Sequence, residues 1–329
     1  MLFDRIRLLK QAGVMGLNER NLRLVNDLNP RRLMRLVNDK LETKTLCAQA
    51  DIPTPRLFGT VETSFDMRRL PEMLKNPTGV AIKPANGSQG NGILVVAEPM
   101  NDAWKLASGR RVAYEDLKFH VSNILSGMYS LGGLPDKAMI EERVIFSQVF
   151  DHITFKGVPD IRIIVLKGIP MFAMLRLATA ESDGKANLHK GGVGVGLDLV
   201  TGVTALGMQH GKYIDIHPDT ANTLQQLQIP YWDEMLLMAA RAYDVTKLGY
   251  LGVDIVLDQV RGPLLLEMNA RPGIAIQVAN RSGLRFHVDA LLKEKAEHLL
   301  PEKRVEIAKR VFRELIPEPV KASDITIDS

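Results

Sequence analysis

Two long apolar stretches each break once at a short polar turn and then resume. "DIRIIVLKGIPMFAMLRLA" holds two apolar runs around Lys167-Gly168, and "LGVDIVLDQVRGPLLLEMNARPG" holds two more around "QVRG". Such runs read as strands, and a short Gly-containing break between them reads as a hairpin. Strands joined this way run antiparallel, because a parallel pair needs a crossover of a dozen residues or more. With helical segments between the hairpins, the pattern predicts an α+β chain built of subdomains rather than a doubly wound parallel sheet.

The rest of the chain reads around those hairpins. Residues 1–38 are rich in Arg and recur in apolar residues at helical spacing, first Leu2, Ile6 and Leu9, then "NERNLRLVNDLNP" up to Pro30. A basic helix suits a membrane surface or an acidic partner, but a solvated face around a packed stripe is the simpler reading. Asn38 or Asp39 supplies an N-cap for a helix that closes before Pro53. A helical "SFDMRRLPEML", strands "GVAIKP" and "GILVVAE", a helix over about 112–128 and a strand-like "KAMIEERVI" follow. The Gly-rich "SDGKANLHKGGVGVG" predicts a mobile loop, residues 217–247 predict helix opened or kinked at Pro230, and a charged amphipathic helix follows residue 300.

Composition narrows the class. A hydrophobic fraction of 46% and a net charge of +4 over 329 residues suit a soluble globular enzyme. Cys47 is the only cysteine, so there is no internal disulfide and no thiolate zinc cage. The first residues carry charges within their apolar stretch, unlike a signal peptide, and no run reaches the ~18 apolar residues of a membrane span. The expectation is a cytoplasmic protein. Dispersed basic residues and only 5% aromatics argue against a nucleic-acid binder.

"AIKPANGSQGNG" (81–92) is an apolar run holding Lys83 that opens into a loop with Gly87, Gly90 and Gly92. Glycines let backbone N–H groups turn toward an anion and a lysine adds a point charge, which points to phosphate. No Walker GxxxxGK[ST] occurs; "GVTALGM" has the glycine spacing without the lysine. No GxGxxG precedes a helix either. Taken alone, the loop is equally a polar turn between strands.

The acidic hairpin is more specific. In "GVDIVLD", alternation puts Val253, Ile255 and Leu257 on one face and Asp254, Val256 and Asp258 on the other. In "LLLEMNA", Leu265, Glu267 and Asn269 share a face. A turn centred between Val260 and Arg261 pairs Asp254 with Glu267, and directly opposed Cβ atoms lie about 4.5–5.5 Å apart. Carboxylates that close repel unless a cation lies between them. Oxygen donors with one neutral amide suit magnesium bridging a polyphosphate. For isolated residues a water-facing acidic hairpin is the simpler reading, but these lie inside apolar strands, and a one-residue slip would undo the pairing.

Taken in order, "DK" (39–40), "AIKPANGSQGNG", "MIEERV" (139–144), "DIR" (160–162), "GVD" (252–254) and "LLLEMNARPG" (264–273) resemble the ATP-grasp superfamily of carboxylate–amine ligases. "NLHKGG" (187–192) is similar to a loop of the RimK-like alpha-L-glutamate ligases, and the resemblance spans about residues 38–298. It implies an α+β ATP-grasp fold of two subdomains with the nucleotide between them. The division would be a helical N-terminal segment (1–38), a lid subdomain (39–135), a C-terminal subdomain with the metal site (136–300), and a helix and tail (301–329).

The resemblance also assigns residues. Lys40 and Lys83 would contact ATP phosphates, with Gly87, Ser88, Gly90 and Gly92 in a lid over them. Glu141, Glu142 and Val144 would line the adenine edge, Glu141 toward the exocyclic amine. Asp254, Glu267 and Asn269 would hold two magnesium ions, or manganese, with Glu267 bridging. Arg162 and Arg176 would hold a substrate carboxylate or the transferred phosphoryl group. His189 and Lys190 lie in a loop over the acceptor site, where His189 either deprotonates the amine or only hydrogen-bonds.

The implied reaction is phosphorylation of a carboxylate by ATP, then attack of an amine on the acyl phosphate. By analogy it adds an amino acid, glutamate, to a peptide, protein or small acid. A kinase that stops after phosphoryl transfer and a non-catalytic nucleotide-binding regulator are the alternatives. Only 38 residues precede Asp39-Lys40, where the family usually carries a larger α/β domain. A short cap suits a large acceptor, or completion of the cleft by a partner protein or a second copy.

Overall fold

The computed structural model describes residues 2–75, 78–87, 90–101, 103–130 and 132–315. Ser88 and the tail from residue 316 lie outside the described residues. The chain opens with helices α1 (Leu2–Gln11), α2 (Leu17–Arg20) and α3 (Arg31–Asn38), and a π-helical turn over Asn21–Asn26 follows α2. Helix α4 (Lys40–Gln49) starts at the second of the two caps that the sequence offers. The Asp39 carboxylate accepts from Leu41 N at 2.8 Å and Glu42 N at 3.4 Å, satisfying donors that have no partner within the helix.

The chain divides into two compact units, one of residues 38–48 and 53–145, the other of residues 1–37, 49–52 and 146 onward. The smaller holds strands β1 (Leu57–Val61), β2 (Val80–Pro84), β3 (Leu94–Pro99), β4 (Trp104–Leu106), β5 (Arg111–Val112) and β6 (Ala138–Glu142). They form one antiparallel sheet in the order β1-β6-β2-β3-β4-β5. Its helices are nearly all of α4, then α5 (Leu70–Met73) and α6 (Tyr114–Leu125). Alternation sends Val80 and Ile82 into a core with Ile140 of β6 and Leu117, Val121 and Ile124 of α6. The expected start of a second subdomain at residue 136 is displaced. β6 bonds along one edge to β1 and along the other to β2, so it belongs to this sheet.

Cys47, on α4, is buried, and burial pushes its thiol up to about 11. Because only the thiolate reacts, Cys47 is expected to resist iodoacetamide at pH 8 in the native protein and to react fully after denaturation in urea. Rapid native labelling, followed by mass spectrometry, would contradict the packing of α4.

The larger unit holds β7 (Asp160–Leu166), β8 (Ile169–Leu177), β9 (Val193–Leu197), β10 (Thr204–Gln209), β11 (Lys212–Ile214), β12 (Tyr250–Asp258) and β13 (Gly262–Asn269). These run antiparallel in the order β11-β10-β9-β8-β7-β12-β13. Helices α7 (Trp232–Thr246), α8 (Ala275–Ala279), α9 (Leu284–Leu291) and α10 (Pro301–Glu314) pack on the sheet, α7 on β7 and β12, and α10 on β8. Both predicted hairpins form. The turn at Lys167-Gly168 has φ of 47° and 83°, the left-handed pair that matches the twist of flanking strands.

Three expectations change. The stretch expected to be a mobile loop contains β9, whose residues are all buried. Its glycines reflect close packing, since a Cβ on Gly196 would lie 2.5 Å from the Ala279 carbonyl oxygen. The helix expected over 217–247 begins only at Trp232, because the residues before it form turns and single bridges, and Tyr231 takes φ 56°. The hairpin β10–β11 is additional: His210-Gly211 at φ 49° and 75° is its two-residue turn, a signal present in "MQHGKY".

The N-terminal helices pack within the larger unit. Met15, Leu24, Val25 and Met34 are buried there, and Gln277 bonds both the N–H and the carbonyl of Met15. Asn29 continues the β12–β13 ladder with its side chain: its amide donates to the carbonyls of Tyr250 and Ala270, and its oxygen accepts from Tyr250 N.

Candidate active site

In the smaller unit, β2 places Lys83 on the face opposite the core, and Glu141 stands beside it because β6 pairs Glu141 with Ala81 and Met139 with Lys83. The Lys83 ammonium is ion-paired to Oε1 of Glu141, while Lys44 from α4 reaches Oε2 at 3.0 Å. All three are buried or nearly so: side-chain exposure is 8% for Lys83, 4% for Glu141 and 11% for Lys44. Burial lowers the Lys44 ammonium against the pull of Glu141, and the charge of Lys83 adds to the lowering. Two cations share one anion, leaving a net positive charge beside the glycine loop. Lys44, one helical turn beyond Lys40, went unnoticed in the sequence because nothing local distinguishes it from a solvated lysine.

Glu141, expected at the adenine amine, is the counterion of two lysines here. Glu141→Gln would leave two buried ammonium groups facing each other, and is expected to cost about 3–5 kcal/mol of unfolding free energy. Urea denaturation of the full chain measures it; a change under 1 kcal/mol would mean that the two lysines do not depend on the carboxylate.

The glycine loop is anchored where it leaves β2. Asn86 donates through its N–H and its amide to Asp136, which is buried, and Lys40 Nζ donates to the Gly87 carbonyl at 2.5 Å. Gly90 and Gly92 take φ of 71° and 74°, and a Cβ on Gly92 would lie 2.5 Å from the Tyr129 ring. Lys40, Lys83, Gly87, Gly90 and Gly92 thus belong to one loop and its base. Glu142 ends β6, where its carboxylate accepts from Arg56 N at 3.2 Å, and Val144 follows it.

In the larger unit, register assembles a row of charge across four strands. Arg176 on β8 pairs with Asp160 on β7, Arg162 on β7 with Asp254 on β12, and Asp254 with Glu267 on β13. Directly paired residues, and residues two apart on one strand, share a face, so all five side chains lie on one side of the sheet. Arg162 donates from Nε and Nη2 to the two oxygens of Asp254, at 2.7 and 2.6 Å. Arg176 donates to Oδ2 of Asp254 at 2.7 Å and grips Asp160. Burial would raise the Asp254 carboxyl, but Arg162 and Arg176 outweigh it and hold it well below the usual aspartate range. Burial pushes Asp160 the other way, against the pull of Arg176 and with the Asp254 charge adding to the push.

The pairing of Asp254 with Glu267 was expected, but the structure reaches it by another route. The turn is closed by Asp258 opposite Gly262, with φ 72° at Gly262, and Asp258 accepts from Val260 N and Arg261 N. Continued regularly, that turn would set Leu266 opposite Asp254. A bulge intervenes: Ile255 pairs with Leu265, Leu266 is the extra residue, and Glu267 comes opposite Asp254. Leu265 therefore shares the face of Ile255 and does not lie with Glu267 as the simple alternation predicts.

Asp254, Glu267 and Asn269 are oxygen donors of the kind that magnesium takes beside a polyphosphate, and in this structure both oxygens of Asp254 accept from Arg162 and Arg176. Glu267 stands directly opposite Asp254 across the ladder, a second carboxylate beside one that two guanidinium groups already neutralise. Asn269, opposite Gly252, adds an amide whose oxygen also accepts from Arg271 N at 2.8 Å. Among the described residues no three His, Cys, Asp or Glu side chains form a metal cage. Two carboxylates and one amide instead match magnesium, which completes its shell with phosphates and water.

His189 and Lys190 are exposed on a short turn over Leu188–Lys190. Asn187 caps it by accepting from His189 N, and Gly191 closes it at φ 89°. The Gly191 carbonyl accepts from Thr179 and Gln209, tying the turn down. Among the described residues, the His189 side chain makes no hydrogen bond or ion pair with the charged row. The residue missed in the row is Asp160, two positions before Arg162 in "DIR", and β-strand spacing alone would have put it on the same face.

Among solved structures, the chain resembles an ATP-grasp ligase, PsnB, complexed with a minimal precursor, at 14% identity over 82% of this chain and 64% of that one, with a TM-score of 0.44. It resembles D-alanyl-alanine synthetase A from Vibrio cholerae O1 biovar eltor at 11% identity over 87% and 68% of the two chains, TM-score 0.48. It also resembles D-cycloserine synthetase DcsG at 14% identity over 81% and 73%, TM-score 0.46. The chain thus spans a little under two thirds of the length of the first of these. No curated protein matches it significantly. Residues 19–292 match the family described as sugar-transfer associated ATP-grasp, a span that includes both units' charged clusters. The chain belongs to the sugar-transfer associated ATP-grasp family.

Proposed function

We propose that the chain is an ATP- and magnesium-dependent carboxylate–amine ligase. The observation that carries this reading is the row Arg176, Asp160, Arg162, Asp254 and Glu267 on one sheet face. Two guanidinium groups and a carboxylate pair at one place suit a site where negative charge moves between oxygens. Lys40 and Lys83 would bind ATP phosphates, and the glycine loop would exclude water, which otherwise hydrolyses an acyl phosphate. Asp254, Glu267 and Asn269 would hold magnesium, which supplies charge neutralisation on the phosphates when bound. Arg162 and Arg176 would orient the accepting carboxylate. No side-chain nucleophile is required.

The finer reading is transfer of an amino acid, glutamate by the resemblance of "NLHKGG", to a peptide, protein terminus or small acid in the cytoplasm. His189 and Lys190 would act at the acceptor end. The family's description favours a second acceptor class, a sugar bearing a carboxylate or an amine.

The test is ADP release from magnesium-ATP with pools of amino acids, peptides and amino or acidic sugars, followed by product mass spectrometry. A product heavier by one residue, formed with ADP, establishes the ligase and names both substrates. A gain of phosphate alone would replace it with a kinase. ATP binding with no turnover in any pool would favour a regulator.

A further inference from the structure

We propose that Arg20 and Tyr250 form an anion subsite for the carboxylate group of a substrate, on the same sheet face as Asp254 and Glu267. The inference deepens the ligase reading and rests on it for the identity of the anion.

Arg20 ends α2 and is only 8% exposed, yet its Nε and Nη1 are buried without any hydrogen-bond partner. The Tyr250 hydroxyl is likewise buried and unpartnered, at 0% exposure. Buried donors left unmet cost free energy that packing does not return, so such groups call for a ligand, an ion or a water. Tyr250, Gly252 and Asp254 alternate along β12 onto one face, which places the phenol in the same row as the carboxylate pair. Arg20 lies within electrostatic reach of Tyr250 and of Arg271, and Tyr250 within reach of Arg162. Among the described residues, no carboxylate bonds to the Arg20 Nε or Nη1.

Arg20 is not what holds the N-terminal segment down. Asn29 does that through Tyr250 and Ala270, and Gly249 N donates to the Leu28 carbonyl at 3.1 Å. Glu19, the preceding residue, is bound by Arg285 and Arg23. The π-helical turn begins directly after Arg20, a local widening that recurs at functional sites. A carboxylate suits the position better than a phosphate dianion. It carries one charge for one guanidinium, and three carboxylates already occupy the same sheet face.

The test titrates the full chain with succinate and, separately, with inorganic phosphate, by calorimetry, with and without magnesium and a non-hydrolysable ATP analogue. Saturable succinate binding is expected, abolished by Arg20→Met and weakened about tenfold or more by Tyr250→Phe. Tyr250→Phe removes only a hydroxyl that bonds to nothing, so its unliganded melting temperature should not fall. Phosphate binding in place of succinate would overturn the carboxylate assignment. Binding of neither, or succinate binding unchanged by both variants, would overturn the subsite and leave its donors to ordered water. The two readings separate cleanly: loss of nucleotide binding with succinate binding intact counts against the ligase, and the reverse counts against the subsite.

Discussion

Replacing Glu267 by glutamine is expected to lower turnover by about 10²–10³ while changing ATP affinity far less. Glu267 faces Asp254 across the β12–β13 ladder and is half-buried, and glutamine has the same shape, so the substitution keeps the packing. It removes one of the two charges that attract a divalent cation at the place where phosphate charge must be neutralised. Glutamine can still hydrogen-bond to Asp254, so stability should hold. The check is steady-state ADP release beside a direct binding measurement with the ATP analogue. Equal loss in both would mean that Glu267 serves ground-state binding only. Turnover unchanged would remove the acidic pair from the chemistry altogether.

The second large effect concerns stability. Asp254 is 2% exposed and accepts from Arg162 and Arg176, whose side chains are 11% and 15% exposed. Asp254→Ala leaves two guanidinium groups buried with their counterion gone, and is expected to cost about 3–5 kcal/mol. The effect has a pH signature. The Asp254 carboxyl is held below its unfolded value, so its contribution is full above about pH 4 and is lost as pH falls through the folded value. Asp160 is displaced upward, so its contribution is present at low pH and lost as pH rises through its folded value. Urea midpoints at pH 7 and pH 3 should therefore show the variant's deficit shrinking in acid. An equal deficit at both would mean that lost packing, rather than lost charge, explains it.

The row of charge was partly legible. Alternation in "GVDIVLD" and the acidic residue in "LLLEMNA" were enough to suspect that two carboxylates meet, and strand spacing in "DIR" offered Asp160 to anyone counting by two. Face and register were not legible together. The true turn would have set Leu266 against Asp254, and the bulge at Leu266 corrected it by one residue. An extra residue in a strand leaves no mark in hydrophobic pattern, because both the bulged and the regular strand are apolar throughout.

The same limit explains the other misses. Lys44 sits on a helix of weak apolar contrast, and only the neighbouring sheet shows that it meets Glu141. β9 looks like a loop by composition, but Gly196 answers to the backbone of α8 and Gly194 to the Leu188 side chain, not to local flexibility. Arg20 reads as one of many arginines on a basic helix until β12 brings the Tyr250 phenol beside it.

Local preference is written between residues a few positions apart, and there the sequence by itself determined the outcome. It set the hairpin turns at Lys167-Gly168 and near Arg261, the Asp39 cap, the glycine loop after Lys83, and the antiparallel α+β character of the chain. Ladder register, strand order and the burial of a charge depend on partners tens to hundreds of residues away. Those only the tertiary structure decided: Arg176 and Arg162 on one face with Asp254, Lys44 and Lys83 on one glutamate, and an arginine of the N-terminal segment buried with its Nε and Nη1 unpartnered among the described residues.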